Sequence, residues 1–406
     1  MEPEPSPGTT MGVEEEFLLV DPVTGRTAPA AGAVLQRAGE HRWAGTGGGF
    51  HPELPTTQVE AATGVCRTLA GLRAQLRHGR ARLAGAARAE GLALLSSGTP
   101  PMDGPSPPFT PGDRFARMAA AYGTLLDGYQ ASGCHVHIGV PGGGDLAVAV
   151  VGHLRPWLPA LLAITVNSPF ARGRDTGHAA HRMLEITRFP GGGVPPWCAS
   201  AADHDRRVAA LVDAGVLVDA TMTFWLARPS PHLPTVEVRA ADAAATADEA
   251  VLQAALTRGL VRTALTSLAA GREADPADPQ LCAAALWTAA RHGMDGPALD
   301  PRTGRTLPAW DLFGLLLELI APALEDTGDL TEVRDLAAAV RRAGTGADRQ
   351  RRAARAGLPA AVGELARHTA DGTLTGTPEK QGDDQDEWGA CERVPQPDDT
   401  RTTEEP

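Results

Sequence analysis

Three short stretches of this chain alternate apolar residues with charged or imidazole side chains, and they constrain the fold more than any other feature. In His232-Leu-Pro-Thr-Val-Glu-Val-Arg-Ala-Ala-Asp242, Glu237 and Arg239 alternate with valines. A period of two is that of a strand, so the charged pair emerges on one face and the valines on the other. Glu14-Glu15-Glu16-Phe-Leu-Leu-Val20 places Glu14 and Glu16 on one face in the same way. Cys134-His-Val-His-Ile138 does so for His135 and His137. One such strand alone reads as a half-exposed edge with solvated charges. Three of them, each offering a pair of charged or metal-capable groups, read as the lining of a curved sheet.

The rest of the composition narrows the function by exclusion. Lys380 is the sole lysine, which excludes a phosphate-binding G-x-x-x-x-G-K-[ST] loop, a lysine Schiff base and any catalytic lysine in the body of the chain. Phosphate handling here falls to arginines, backbone amides and metal ions. A net charge of -12, concentrated towards the end of the chain, argues against nucleic acid or an anionic membrane as partner. Five scattered cysteines with no C-x-x-C pair fit a reduced, cytoplasmic protein better than a disulfide or structural zinc framework. Neither a charged-then-apolar leader nor an apolar run of membrane-spanning length is expected.

At 406 residues the chain holds one large domain or two ordinary ones. Residues 1–10 read as a disordered leader, with Met11 as an alternative start, and 371–406 as a disordered acidic tail. Between them, 11–370 is expected to be a single catalytic domain, sheet-rich over 11–242 and helical over 243–370. Strands are expected at 12–20, 92–97 and around the two motifs above. An extended segment at 51–60 carries Glu53 and Glu60, and a strand within 216–227 leads into Arg228. Helices are expected at 64–88, 113–129, 145–166, 203–212, 246–270, 279–292, 309–325, 331–343 and 348–368, with no strand after Asp242. Residues 167–196 are irregular and read as a binding loop bearing Asn167, Arg172, Arg174, Asp175, Thr176 and Arg182.

Glu14, Glu16, Glu53, Glu60, His135 and Glu237 are the candidate metal ligands. Five carboxylates and one imidazole suit two or three Mg²⁺ or Mn²⁺ ions, whereas zinc favours histidine and cysteine. Clustered carboxylates repel one another, and metal ions are the simplest way to make such a cluster tolerable.

Together the motifs resemble a known family. Gly12-Val-Glu-Glu-Glu-Phe, Gly133-Cys-His-Val-His-Ile-Gly, Asn167-Ser-Pro-Phe with Gly173-Arg-Asp-Thr-Gly, and Arg228-Pro-Ser-Pro-His with Thr235-Val-Glu-Val-Arg are similar to the glutamate–cysteine ligase type 2 family. Its bacterial members are carboxylate–amine ligases of the YbdK type. Arg291-His-Gly-Met-Asp-Gly and Asp300-Pro-Arg-Thr-Gly resemble the family's C-terminal helical part. The resemblance runs from about Met11 to about His368. It implies an α+β fold with a glutamine-synthetase-like curved antiparallel sheet, flanking helices and a helical C-terminal part. It also implies an ATP-dependent ligase that joins an amino-acid carboxylate, such as glutamate's, to an amine, such as cysteine's, through an acyl phosphate. The matched positions imply Glu14, Glu16, Glu53, Glu60, His135 and Glu237 as metal ligands. They imply Arg239 as the group that neutralises the transferring phosphoryl, with Glu237 beside it, and Arg182 and Arg228 as contacts for a substrate carboxylate or phosphate.

Two positions depart from the family pattern. No aromatic residue follows Arg182 within 183–187, and Pro100 stands where relatives carry histidine. Both are expected near the amino-acid substrate, so glutamate and cysteine are a family label more than a deduction. Small-molecule substrates are the expected partners, and a homodimer is left open. A catalytically silent ATP- or amino-acid-binding homologue is the runner-up. A metal-dependent hydrolase built on His135 and His137 in a TIM barrel is a further rival and requires alternating β/α units.

Overall fold

The computed structural model describes residues 6–39 and 48–374. Seven strands form one sheet: β1 (Met11–Val20), β2 (Gly49–Pro52), β3 (Gln58–Ala62), β4 (Ala93–Leu95), β5 (Gly133–Gly139), β10 (Ala227–Pro229) and β11 (Thr235–Asp242). Their order is β10-β11-β5-β1-β3-β2, with β4 on the far end of β1, and every pairing is antiparallel. This sheet is neither closed nor built from β/α repeats, so the TIM-barrel hydrolase reading falls. Three two-stranded pieces stand apart: β6 (Phe170–Ala171) with β7 (Arg174–Asp175), β8 (Gly192–Gly193) with β9 (Phe224–Trp225), and β12 (Pro297–Asp300) with β13 (Arg305–Pro308).

The helices are α1 (Ala31–Ala38), α2 (Leu69–Ala89), α3 (Asp113–Tyr122), α4 (Gly144–Leu154), α5 (Leu158–Ile164), α6 (His181–Thr187), α7 (Ala201–Asp213) and α8 (Ala247–Ala269). After these come α9 (Pro279–His292), α10 (Ala309–Asp326), α11 (Leu330–Ala343), α12 (Gly346–Ala353) and α13 (Leu358–Asp371). One face of the sheet packs on them. Val13, Val136, Ile138, Val236 and Val238 share a core with Leu72 of α2, Val150 of α4, Leu161 of α5 and Leu256 of α8. Helix α8 is buried nearly all round over its first fifteen residues, as a helix apolar on every side must be. Thr246 and Glu249 close its N-terminus with a reciprocal capping box.

The middle glutamate of the Glu14-Glu15-Glu16 run points into this core and would be prohibitive there without a partner. Arg80 of α2 supplies it: Nε donates to Glu15 Oε2 at 3.0 Å and Nη2 to Oε1 at 2.5 Å. The guanidinium also donates to the Ala244 and Ala245 carbonyls, at 2.7 and 3.2 Å. Both residues are 1% exposed.

Several expectations need correction. The β12–β13 hairpin lies within the segment expected to be purely helical, where Asp300-Pro-Arg-Thr-Gly304 makes a tight turn closed by the Gly304 N–H on the Asp300 carbonyl. Residues 6–10 are not a free leader: the Gly8 N–H donates to the Gly139 carbonyl at 2.7 Å and the Gly139 N–H to the Thr10 carbonyl at 3.0 Å. Leu374 packs on the main core, so the tail begins later than residue 371. Residues 1–5 and 375–406 lie outside the described residues. The helix expected at 348–368 is two, because Gly357, with φ of 105°, and Pro359 separate α12 from α13. Helices α1 and α6 are short and were not anticipated. Gly144–Ile164 does reach the length and apolarity of a membrane span, but 83% of its most apolar window is buried inside the fold. It is broken at Arg155-Pro156, so it is a pair of core helices. Among the described residues Cys66, Cys134, Cys198 and Cys282 are free thiols.

Replacing Arg80 with Met should cost about 3–5 kcal/mol, because it strands a buried carboxylate. The double variant Arg80→Met/Glu15→Gln should recover most of that loss. Denaturant midpoints of the two variants check this; equal midpoints would mean the pair is inert.

Candidate active site

The face of the sheet opposite the core carries the chemistry, and its register explains how. Directly opposed residues in an antiparallel pair share a face. Glu14 stands opposite His135, Glu16 opposite Glu60, and Glu237 opposite both His137 and Arg228. Arg239 arrives by a different route. Between Val238 and Ala241 strand β11 advances three residues while β5 advances two, from Val136 to Cys134. A bulge of this kind re-aims a side chain. It brings Arg239 Nη1 to 3.2 Å from His135 Nδ1 and into an ion pair with Glu237. Glu53 lies on the turn between β2 and β3.

The six expected metal ligands converge as two triads, Glu14/His135/Glu237 and Glu16/Glu53/Glu60, each with its ligand atoms within 4.8 Å of one another. His135 joins them, with Nδ1 3.5 Å from Glu14 Oε2 and Nε2 3.7 Å from Glu16 Oε1. His137, which the sequence left unassigned, has Nε2 3.3 Å from Glu14 Oε1 and Nδ1 2.9 Å from Thr235 Oγ1. The Gly133 N–H donates to Glu16 Oε2 at 2.5 Å. A Cβ at Gly133 would stand 2.2 Å from Arg182 Nη2 and 2.8 Å from His135 Nε2, so any larger residue would displace those side chains.

The triads differ in charge balance. Burial disfavours the charge of Glu237, but Arg239 and Arg228 outweigh it and hold the carboxyl far below the usual range. Burial likewise opposes Glu14, and hydrogen bonding to His135 and His137 wins, lowering it. In the second triad nothing wins. Burial and the neighbouring Glu16 charge push Glu53 up to about 8. Burial and the charges of Glu14, Glu53 and Glu16 push Glu60 well above the carboxylate range. His135 is lowered by burial and by Arg239, and its buried Nε2 has no hydrogen-bond partner among the described residues. An imidazole held neutral with a bare nitrogen, beside acids short of positive charge, fits a divalent cation. The oxygen-rich donor set suits Mg²⁺ or Mn²⁺.

The two looser arginine candidates separate. Arg228 is largely committed: Nε donates to Glu237 Oε2 at 2.7 Å, and Nη1 to the Thr221 and Thr223 carbonyls at 2.8 and 2.9 Å. It braces Glu237 against the 221–223 segment and has little left for a substrate. Arg182 is different. It is 2% exposed, and its Nε and Nη1 have no hydrogen-bond partner among the described residues. Its Nη2 donates to the Arg239 carbonyl at 3.3 Å, and Nη1 lies 4.0 Å from Asp242 Oδ1. Asp242 in turn accepts from the Asn167 N–H and the Ser168 hydroxyl at 2.8 and 2.7 Å.

A cleft opens over the sheet, lined by Glu16, Glu53, His135, Arg182, Arg228 and Arg239 on one side. Arg114, Phe115 and Met118 of α3, Tyr129, Ile186 of α6 and Thr221 to Phe224 form the other side. Tyr129 gave no signal in the sequence, since a lone aromatic next to a glycine has no pattern. Of the residues expected on the 167–196 loop, Arg182 reaches the cleft wall. Asn167 lies beneath it as a hub, and its side-chain amide donates to the Ser96 and Ala243 carbonyls. Asp175 instead pairs with Arg351, and Arg172 and Arg174 are exposed. Pro100 does not line the cleft, contrary to expectation, whereas the helix after Arg182 does through Ile186.

Because Glu53 is raised, its contribution to stability is present below the ordinary carboxylate pKa and is lost as pH rises through about 8. Metal-free protein should therefore lose thermal stability between about pH 5 and 8, and Mg²⁺ or Mn²⁺ should raise Tm more at pH 8 than at pH 6. Scanning fluorimetry across that range checks it; a metal effect independent of pH would count against the charge deficit.

Comparison with known proteins agrees with this geometry. The family model described as Glutamate-cysteine ligase family 2 (GCS2) matches residues 10–375. A Saccharopolyspora erythraea protein provisionally named glutamate–cysteine ligase 2-2 is 53% identical over 366 residues, covering 90% of this chain and 93% of its own length. A Salinispora arenicola protein provisionally named glutamate–cysteine ligase 2 is 44% identical, covering 84% and 89%. Among solved structures, the glutamate–cysteine ligase of Francisella tularensis in complex with AMP has a TM-score of 0.62 at 13% identity, covering 90% of each chain. The bifunctional glutathione synthetase of Pasteurella multocida has the same TM-score at 15% identity, covering 89% of this chain and 52% of that one. These two share the fold. With the family model matched across the body of the chain and close relatives aligned nearly end to end, the protein belongs to glutamate–cysteine ligase family 2.

Proposed function

We propose how this cleft performs the reaction its family membership assigns, the ATP-dependent joining of a carboxylate to an amine with formation of a C–N bond. The observation that carries the reading is the pair of carboxylate triads on one sheet face with Arg239 between them. A carboxylate is a poor electrophile. An oxygen of the acid attacks the γ-phosphorus of ATP, the bond to the β-phosphate bridging oxygen breaks, and ADP leaves. The amine nitrogen then attacks the acyl carbon of the resulting acyl phosphate. The C–O bond breaks, inorganic phosphate departs, and the nitrogen gives up a proton.

Phosphoryl transfer asks for positioning and charge neutralisation more than covalent help. Glu14, His135 and Glu237 would hold one divalent cation and Glu16, Glu53 and Glu60 another, with Mg²⁺ or Mn²⁺ the ions such oxygen donors favour. When bound, such ions neutralise and clamp phosphate oxygens. Arg239 lies between the triads. Nη1 is its bonded nitrogen among the described residues, which leaves Nε and Nη2 for the transferring phosphoryl. Arg239 and Arg228 keep Glu237 ionised, and Arg228 orients it. Arg182 offers two N–H donors to a substrate carboxylate. The partners are small molecules, the free buried thiols fit a reducing cytoplasm, and a homodimer is compatible with both.

Purified protein with ATP, Mg²⁺, glutamate and a panel of amines including cysteine should release ADP in an amine-dependent way. Glu237→Gln and Arg239→Ala should each lower kcat by about 10²–10³-fold while the protein stays folded. ATP binding without release for any pair would instead mark a silent homologue that senses nucleotide or amino acid.

A further inference from the structure

The cleft is lopsided in a way the general reaction does not require. Its sheet side is charged, but the side built by α3, α6 and the 221–224 segment is largely apolar: Met118, Ile186, Met222 and Phe224 line it beside Arg114, Thr221 and Thr223. These side chains are held by an aromatic cluster, since Phe224 stacks on Phe189 with centroids 5.0 Å apart. Phe189 in turn meets Tyr122 and Tyr129 edge-on. The wall is therefore preformed. Arg182 stands where the two sides join. It and Ile186 lie four residues apart on α6, so they share one helix face.

Arg182 is the second, independent observation. Its guanidinium is nearly fully buried and lines the cleft, and its Nε and Nη1 make no hydrogen bond among the described residues, Nη1 standing 4.0 Å from Asp242 Oδ1. Buried donors of this kind call for an acceptor, and a carboxylate, which accepts charge-assisted hydrogen bonds from a guanidinium, is one that fits. A ligand whose carboxylate sits on Arg182 brings whatever its α-carbon carries within reach of Ile186, the next residue along that helix face. Burial of an apolar side chain against such a wall is favourable, and burial of a charged one is not.

Resting on the ligase reading above, we infer that the amine substrate is an α-amino acid with an apolar side chain larger than that of cysteine, held by its carboxylate on Arg182 and by its side chain on Met118, Ile186, Met222 and Phe224. The chemistry fixes which partner this is. An apolar amino acid has a single carboxylate, and one gripped in an ion pair is not the one phosphorylated. Its amino group is what remains to react, so it enters as the nucleophile.

The test uses the full chain with ATP, Mg²⁺ and glutamate as acid, reading ADP release against glycine, alanine, cysteine, leucine, methionine, phenylalanine and isopentylamine, which is leucine without its carboxylate. Leucine or methionine should exceed alanine and cysteine in kcat/KM by at least about tenfold, as extra buried methylenes do. Leucine should exceed isopentylamine, and Arg182→Met should erase that difference. Ile186→Asn should raise KM for leucine with KM for ATP unchanged, which also shows that the variant is folded. Preference for cysteine, glycine or alanine over leucine overturns the inference while leaving the ligase intact. A rise in KM for ATP in Ile186→Asn, with amine KM unmoved, overturns it too and gives the apolar wall to the nucleotide base. Absence of ADP with every amine overturns the ligase reading itself, and this inference with it.

Discussion

The register of β1 is the constraint on which the cleft depends. This strand carries three glutamates in a row, and a slip of one residue against β5 and β3 would turn Glu14 and Glu16 into the core and Glu15 into the cleft. Charge alone does not choose between those pairings. From behind, the observed pairing is favoured by Met11 and Val13 in the core and by Arg80 of α2, whose buried guanidinium pairs bidentately with Glu15. A structural ion pair on one side of the sheet thus helps set the geometry of the functional groups on the other.

On the open side the chain gathers more negative charge than it neutralises. Arg228 and Arg239 satisfy Glu237, and the two imidazoles satisfy Glu14, but Glu53 and Glu60 are left raised by burial and by their neighbours. A fold does not keep such a deficit without a use for it. It is the kind of imbalance that a hard cation would relieve. With a single lysine in the whole chain, Lys380, the cationic side chains at the cleft are arginines.

The two sides of the cleft come from different kinds of element, and that separates their tasks. Most of the charged side is sheet, where register fixes each group to its neighbours, with Glu53 on the β2–β3 turn and Arg182 on α6 added to it. The apolar side is short helices and connecting segments, held by packing of Tyr122, Tyr129, Phe189 and Phe224. Elements of that kind vary without disturbing the sheet.

The sequence by itself determined the facing of Glu14 with Glu16 and of His135 with His137, because a strand's period of two is a local property. It also determined the buried helices after Asp242 through their apolar content, and, by resemblance, the family. It did not determine how the six ligands divide into two triads, since that follows from which strands pair and in what register. Nor did it distinguish Arg228 from Arg182. Both are arginines beside suggestive motifs, and only packing shows that Arg228 is used up by Glu237 and the Thr221 and Thr223 carbonyls while Arg182 keeps Nε and Nη1 without hydrogen bonds among the described residues. Glu237 and Arg239 looked like a plain alternating pair, yet Arg239 reaches the site through a bulge that no period reveals. The hairpin at 297–308 and the apolar wall were hidden for the same reason: short elements take their conformation from distant neighbours, and distance along the chain carries no record of them.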